Sequence, residues 1–543
     1  MMGTKERVFS PLPCDVSLED LVTKENFYRR LEGALDLSFV RALVCPLYAR
    51  GGRPSVDPVV FFKLQLVLFF EGLRSERELM RVAADRLSVR WYLGYDLHEP
   101  LPDHSNLTRT RERFGLCVFR RFFERIVEEC IEAGLVQGDE LFFDSTKVEG
   151  NAAMDSLAPR WAVEAHLGEL FEEEPAEDDQ PITEETNVLP SAGDAALLDR
   201  NAAWRDWVSR DGAQDRSFEG TPWRERTSDT RASRTDPDAT PMTWAGSGRK
   251  LGYQAHYVVD GGKARIVLNA LVAPAEVTEN RPMLDLLWRT AFRWKLRPHH
   301  VTGDGKYGTL ENIAALEEAG IRAYVALHES GSKPGFFPKG DFRYDPERDV
   351  YLCPAGKFLR PLGKRNGADR DGKVTFYRAE ASECAVCQLR PRCTSNKNGR
   401  QLRRHPKERH ADWVRDYRGT DAYEKALRKR KVWVEPLFAE AKAWHGMGRF
   451  RLRTLRRVNA EALMVAAGQN LKRLLTFGGR GPEKPAQASA LRLPATVHRE
   501  LPHFFRGHHS SASGFLRSPF CNTLARFRDT WQNTPKSQGL RTG

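Results

Sequence analysis

The sequence predicts an α/β fold: a mixed sheet preceded by an all-helical N-terminal region and interrupted by a cysteine-rich insertion. Three observations predict it. Amphipathic helical patterns fill the first 135 residues. Short β-rich runs then alternate with helical ones between Leu141 and Leu327. Four cysteines gather in a Pro/Gly/basic stretch after that.

The chain has 543 residues, more than one core accommodates, so three or four structural units are expected. Lys+Arg number 85 against Asp+Glu 73, a net charge of +12 that points to a polyanionic partner. Nine cysteines are an odd count, and MMGTKERVFSPLPCDVSLED has no apolar signal core, so a reducing, cytoplasmic setting is expected. The most apolar stretch, PVVFFKLQLVLFFEGL, is broken by Lys63 and Gln65 and is too short to span a bilayer. No membrane role is expected.

In residues 1–135, ENFYRRLEGALDLSFVRALVCPLYA is amphipathic. Asp57-Pro58 then opens an apolar helix that Gly72 can close. Ser75 and Glu78 form a capping-box pattern before ELMRVAADRL. After Trp91-Tyr92 and a Pro-rich turn, Asp103 or Ser105 caps NLTRTRERFG, which carries Arg109, Arg111 and Arg113. Two short helices with a basic second one resemble a DNA-docking helix-turn-helix; the other reading is a bundle with a solvated basic face.

Residues 136–328 form the first part of a sheet domain. Leu141-Phe142-Phe143 reads as a buried strand that delivers Asp144, followed by a hydroxyl pair and a lysine, where the strand meets solvent. A turn-capping aspartate is the bland alternative. From about 160 to 248 the pattern dissolves around the acidic LFEEEPAEDDQPITEET, and disorder is expected, with SRTDPDATPM a loop. KLGYQAHYVVDGGKARIVLNALV is a hairpin around Gly261-Gly262. Helix RPMLDLLWRTAFRWKL, a strand ending in Gly303-Asp304, a helix from Leu310 and the strand IRAYVAL follow. Carboxylates at the carboxyl ends of strands are where open sheets hold ligands. This is the element order of a ribonuclease H-like domain.

The insertion, 329–415, holds Cys353 in YLCPAGK and Cys384, Cys387 and Cys393 in CAVCQLRPRC. Four thiolates are the set tetrahedral zinc prefers, so a zinc knuckle is expected, with reduced free thiols the alternative. Residues 416–477 return to helices. There Arg428, Lys431, Glu435 and Lys442 recur at offsets that share one helix face. Such a stripe suits a phosphate backbone while presenting one carboxylate to a metal. Residues 478–543 read as a disordered basic tail, with a helix near Asn522–Gln532.

The run GRPSVDPVVFFKLQLVLFFEGLRSERELMRVAADRLSVRWYLGYDLHEPLPDHSNLTRTRERFG closely resembles the helical N-terminal domain of bacterial insertion-sequence transposases of the DDE class. FFDSTKVEGNAA, KLGYQAHYVVD, VTGDGKYG and VEPLFAEAK resemble that family's catalytic blocks, and the cysteine insertion recurs in one of its branches. The likeness covers about residues 20–475.

The resemblance implies a metal-binding triad of Asp144, Asp304 and Glu435, holding two magnesium or manganese ions, with Asp144 bridging. Against the signature Y-x2-R-x3-E-x6-K, Glu435 and Lys442 keep their spacing, whereas Lys431 stands for the arginine and Arg428 for the tyrosine. Pro436 marks a start or kink of the helix at Glu435. Glu440 and Glu149 are the nearest competing acids.

The implied function is cleavage of element ends and their joining to target DNA, by a homodimer on double-stranded DNA, nucleoid-associated in the cytoplasm. Arg428, Lys431 and Lys442 would hold phosphates. Lys306 and Tyr307 are either DNA contacts or loop residues. The rival readings are a metal-dependent nuclease without joining and an inactivated transposase acting as a regulator.

Overall fold

The computed structural model describes residues 17–48, 55–159, 231–244, 246, 248–327, 335–366 and 373–478. The acidic run and the tail with its expected helix lie outside these residues.

The N-terminal region begins with α1 (Leu18–Leu21), α2 (Phe27–Ala34) and α3 (Phe39–Val44). Asp57 then caps α4 (Pro58–Phe70) by accepting from Val59 N at 2.8 Å. This helix is apolar all round and therefore central. Its Lys63 is buried, with Nζ donating to Glu32 at 2.7 Å and to the Tyr92 carbonyl at 2.8 Å. Ser75 accepts from Glu78 N at 3.1 Å to cap α5 (Glu76–Asp85). Next, α6 (Leu87–Leu93) ends on Gly94 at φ 79°. Asp103 is the cap of α7 (His104–Glu132), which accepts from Ser105 N at 2.8 Å. Gly115 (φ 63°, ψ 176°) bends α7, a conformation that L side chains rarely adopt. The expected short basic helix is thus the first arm of a long bent one.

Strand β1 (Glu140–Glu149) runs well past Phe143, so Asp144 sits mid-strand and buried at 8% exposure, not at a solvent-facing end. The reason is its pairing. Parallel pairing with the strand carrying Thr302 stops at Phe142, but antiparallel pairing on the other side continues to Glu149.

Residues 231–244, inside the stretch expected to be disordered, are ordered. After β2 (Leu157–Pro159), strand β3 (Arg231–Ser233) pairs with it and β4 (Thr240–Trp244) extends the sheet edge. Between them, Asp236 accepts from Tyr253 Oη at 2.6 Å and Thr454 N at 2.9 Å, and Asp238 from Leu455 N at 2.8 Å. These acids cap the helix that starts at Leu455, and that holds the loop in place.

β5 (Gly248–Asp260) and β6 (Val267–Pro274) form the hairpin, antiparallel to each other, and β1 is antiparallel to β5. Helix α8 (Met283–Trp294) leads to β7 (His300–Thr302), and α9 (Leu310–Glu318) to β8 (Arg322–Tyr324), both strands parallel to β1. Read from β6, the sheet order is β6-β5-β1-β7-β8, with β4 continuing the β6 edge. Three antiparallel strands followed by two parallel ones are the ribonuclease H-like arrangement.

The insertion is larger than a knuckle. It is a five-stranded antiparallel sheet of β9 (Arg343–Asp345), β10 (Val350–Leu352), β11 (Phe358–Asn366), β12 (Lys373–Ala379) and, after α10 (Ala381–Ala385), β13 (Gln401–Arg404). It has its own core of Phe342, Tyr351, Leu359, Tyr377 and Leu402.

Then come α11 (Glu408–Tyr417), α12 (Asp421–Trp433), α13 (Glu435–Trp444) and the mostly buried α14 (Leu455–Phe477). Two asparagines of α14 bind the outer edge of β6. Asn470 exchanges side-chain hydrogen bonds with Val267 N (2.9 Å) and O (2.8 Å), and Asn459 with Val272 N (2.8 Å) and O (3.0 Å). One hydrophobic cluster runs from Leu31 through Phe119 and Phe142 to Leu471, so the helical region and the sheet share a core. Among the described residues no helix is long and apolar enough to cross a membrane.

Candidate active site

Three carboxylates converge beside the end of the β1–β7 pairing. Asp144 points to the face of β1 that also carries its cross-strand partner Tyr257. Its Oδ1 accepts from Ser145 N at 2.9 Å and its Oδ2 from Arg430 Nη1 at 2.9 Å. Asp304 lies two residues past β7, where the short side chain accepts from Lys306 N at 2.9 Å and shapes the turn. Glu435 is the first residue of α13, and its half-exposed carboxylate stands 3.5 Å from Arg430 Nη2.

Burial pushes the Asp144 carboxyl up to about 6, and the negative charges of Asp304 and Glu435 add to the rise. The Arg430 guanidinium and the Ser145 amide work against it. A carboxylate raised mainly by burial, with two further acids adding to the rise, is the electrostatic mark of a site that gains by taking up a cation.

Sequence reasoning missed Arg430. Helical offsets counted through an unbroken helix put Arg428, Lys431, Glu435 and Lys442 on one stripe, but Val434 (φ −106°, ψ −43°) separates α12 from α13. Pro436, within the first turn of α13, is the cause of this break. The phase therefore shifts, and Arg430 reaches the acids while Arg428 and Lys431 are exposed on α12. Lys442 is half-buried, and burial lowers its ammonium. The competing acids are engaged elsewhere. Glu440 binds Lys472 (2.6 Å) and Arg473 (3.1 Å), and Glu149 binds Lys250 (2.9 Å).

A second group missed in the sequence lies on the opposite face of β1. Glu279 accepts from Ser145 Oγ at 2.9 Å and pairs with Lys306 Nζ, while Gln254 Nε2 donates to Ser145 Oγ at 2.9 Å. Glu279 thereby ties the residue after Asp144 to the second residue after Asp304. Its position between β6 and α8 carries no motif by which to find it. Tyr307 is 1% exposed and packs edge-on to Phe143, which removes it as a DNA contact.

Arg109, Arg111 and Arg113 do not form one basic surface. Arg111 is 5% exposed and pairs with Glu76, so it is not available to phosphate. Burial, with Arg451 close by, lowers it to about 9. Arg109 and Arg113 are exposed, the latter 5.0 Å from the Tyr48 ring. Cys353, Cys384, Cys387 and Cys393 line one pocket as free, half-buried thiols. Burial raises Cys393, and the other three cysteines add to that rise. Among the described residues no group of three or more His, Cys, Asp or Glu is gathered closely enough to hold a metal as placed.

Residues 16–113 match the family described as Transposase domain (DUF772), and residues 352–475 match Transposase DDE domain. The second match includes Glu435 and the cysteines but neither Asp144 nor Asp304. No curated protein matches the chain. Among solved structures, a cryo-EM structure of piggyBac transposase synaptic complex with hairpin DNA aligns at 10% identity and a TM-score of 0.31, covering 96% of this chain and 88% of that one. A likeness at that score carries no argument. The two matched domains do: the chain carries a transposase domain over residues 16–113 and a transposase DDE domain over residues 352–475.

Proposed function

We propose that the chain cleaves the ends of a DNA element and joins them to target DNA by metal-dependent phosphodiester hydrolysis and strand transfer, with Asp144, Asp304 and Glu435 as the metal-holding acids. The observation that carries this reading is that Asp144 and Glu435 share the guanidinium of Arg430, while the charges of Asp304 and Glu435 both bear on the buried Asp144, which is raised to about 6. Their oxygens are the donors that magnesium or manganese takes. Divalent ions bound there supply an activated nucleophile and stabilise the leaving oxygen.

The chain's own residues do the rest. Asp144 is ionised above its raised pKa and is positioned by the Ser145 amide. Asp304 is positioned by the Lys306 amide. Arg430 stands within reach of both Asp144 and Glu435, ready to meet a scissile phosphate. Arg428, Lys431 and Lys442 hold flanking phosphates and read no sequence. In this reading the insertion's four cysteines hold one structural zinc. The active species is a homodimer on double-stranded DNA, acting at the nucleoid in the cytoplasm.

The test is a strand-cleavage and joining assay on DNA carrying the element's own ends, with magnesium and with EDTA. Cut and joined products that require magnesium and vanish in Asp144→Asn, Asp304→Asn and Glu435→Gln are expected. Cleavage without joining would favour the plain nuclease. Activity surviving in all three variants would overturn the site.

A further inference from the structure

The outer face of the insertion's sheet carries a group of arginines without carboxylate partners among the described residues. Register puts Arg343, Leu352 and Phe358 on one cross-strand row, Arg360, Arg378 and Gln401 on a second, and Phe376 opposite Arg403. Side chains two apart share a face, so all of these lie on the same side of the sheet. The other side is the insertion's core, with Tyr351, Leu359, Tyr377 and Leu402 buried. On the outer side Arg343, Arg360 and Arg403 are exposed and Arg378 is half-buried.

The insertion's other arginines show what a structural arginine looks like here. Arg404, on the core side, pairs with Asp412 at 2.7 Å and lies 3.5 Å over the Tyr344 ring. Arg400 donates to the carbonyls of Cys393 (2.8 Å) and Phe337 (3.0 Å). None of the four outward guanidiniums has a carboxylate partner among the described residues, and Arg378 Nε is buried without a hydrogen bond. The carboxylate on this face, Asp345, is occupied in the β9–β10 turn, where it accepts from Glu347 N (3.0 Å) and Arg348 N (3.3 Å). Four unpaired cations on a rigid sheet are costly in mutual repulsion unless a polyanion covers them.

We propose that this face binds the phosphate backbone of duplex DNA, as a surface separate from the three-carboxylate site. The inference rests on the transposase reading and names a second place where that protein holds its substrate. From β9 to β13 there are four strand spacings of roughly 4.8 Å, so the arginines span about 19 Å. That length of duplex carries about eleven phosphate charges. Of the rings on this face Phe358 is exposed, at 37%, and Phe376 is half-buried. The face therefore offers charge without a row of stacking platforms, which suits duplex phosphates rather than splayed single-strand bases.

The test measures binding of the full chain to a 30-base-pair duplex of arbitrary sequence across a sodium chloride series, by fluorescence anisotropy. Replacing Arg343, Arg360 and Arg403 by alanine should reduce the salt slope by up to about three units, and adding Arg378→Ala should bring the loss to between three and four. Lysine at the same positions should restore the slope, because phosphate contact needs charge and not the guanidinium fork. The three exposed positions bury nothing, so that variant should melt where the wild type does.

An unchanged slope in the triple variant would overturn the proposal. If Arg428→Ala/Lys431→Ala lowers the slope in the same experiment, the transposase reading survives that failure. A wild-type chain that binds no DNA would overturn both. Retained affinity for duplex with lost affinity for an equal-length single strand would also overturn it, since the face would then be a single-strand surface.

Discussion

Asp144→Asn should abolish DNA cleavage and, in metal-free buffer, make the protein more stable. Burial and the neighbouring acids raise Asp144 from an ordinary 3.8 to about 6, a value that already includes the opposing effect of Arg430. The raised value means that the folded chain holds the proton more tightly than the unfolded one. The associated stability is present below about pH 4 and is lost as pH rises through 6. At about 1.36 kcal/mol per unit, the ionised carboxylate costs the fold about 3 kcal/mol at pH 8. Asparagine keeps the shape and never ionises. The variant and the wild type should therefore unfold alike near pH 4 and diverge by up to about 3 kcal/mol by pH 8, a rise in Tm on the order of 4 °C for a protein of this size. Differential scanning calorimetry in EDTA across that range reads the difference directly. Magnesium should then stabilise the wild type and leave the variant unmoved. If Asp144→Asn melts at or below the wild-type temperature at pH 8 in EDTA, the acids do not crowd one another and the electrostatic argument for the site fails.

The remaining predictions concern four other places. His256 is buried with neither ring nitrogen hydrogen-bonded, and burial lowers it from 6.5 to about 3. The stability tied to it is therefore present above 6.5 and lost as pH falls toward 3; His256→Leu should gain on the wild type by about 2–3 kcal/mol at pH 4.5 in urea unfolding and little at pH 7.5. Purified protein should carry about one zinc per chain by elemental analysis, lost in Cys384→Ser/Cys387→Ser; folded, active, zinc-free wild type would refute that site. Arg111→Ala should destabilise by about 2–3 kcal/mol, because it removes the nearer guanidinium from the buried Glu76 and leaves it Arg451 at 3.4 Å and the Thr108 hydroxyl at 3.0 Å. Arg109→Ala/Arg113→Ala should instead leave stability alone and lower the salt slope of DNA binding by up to about two units, as titrations at several salt concentrations would show. Glu440→Gln should lower Tm through its lost contacts with Lys472 and Arg473, while Glu435→Gln should lower cleavage with little thermal effect.

The order of helices and strands was legible because each carries its own local signal. Asp57-Pro58, Ser75 and Asp103 act as the caps their chemistry predicts, and the β1 apolar run sits at the sheet centre. What the sequence could not convey depends on contacts between distant segments. The aspartates of SRTDPDATPM look like loop residues until α14 presents its first amides to them. Arg111 looks like its exposed neighbours until Glu76 is known to lie beneath it. Pro436 signalled a break at Glu435, but a break alone does not say which of four consecutive cations, Arg428 to Lys431, will face β1. Glu279 has no local pattern at all, and only the meeting of Ser145 and Lys306 gives it a role.

The two asparagines of α14 have a consequence for how copies of this protein can associate. β6 lies at an edge of the sheet, and an open edge recruits strands from other chains. Asn459 and Asn470 are eleven residues apart on a helix, a rise of about 16.5 Å. Val272 and Val267 are five apart on a strand, also about 16.5 Å. The matched lengths let one rigid helix occupy the backbone groups of Val267 and Val272, both N–H and C=O in each case. Strand addition along β6 is thereby closed to a second copy as well as to unwanted aggregation. Two copies brought together on DNA therefore cannot associate by pairing strands along β6 at these positions, and any contact through this side of the sheet is made with the surface of α14 instead.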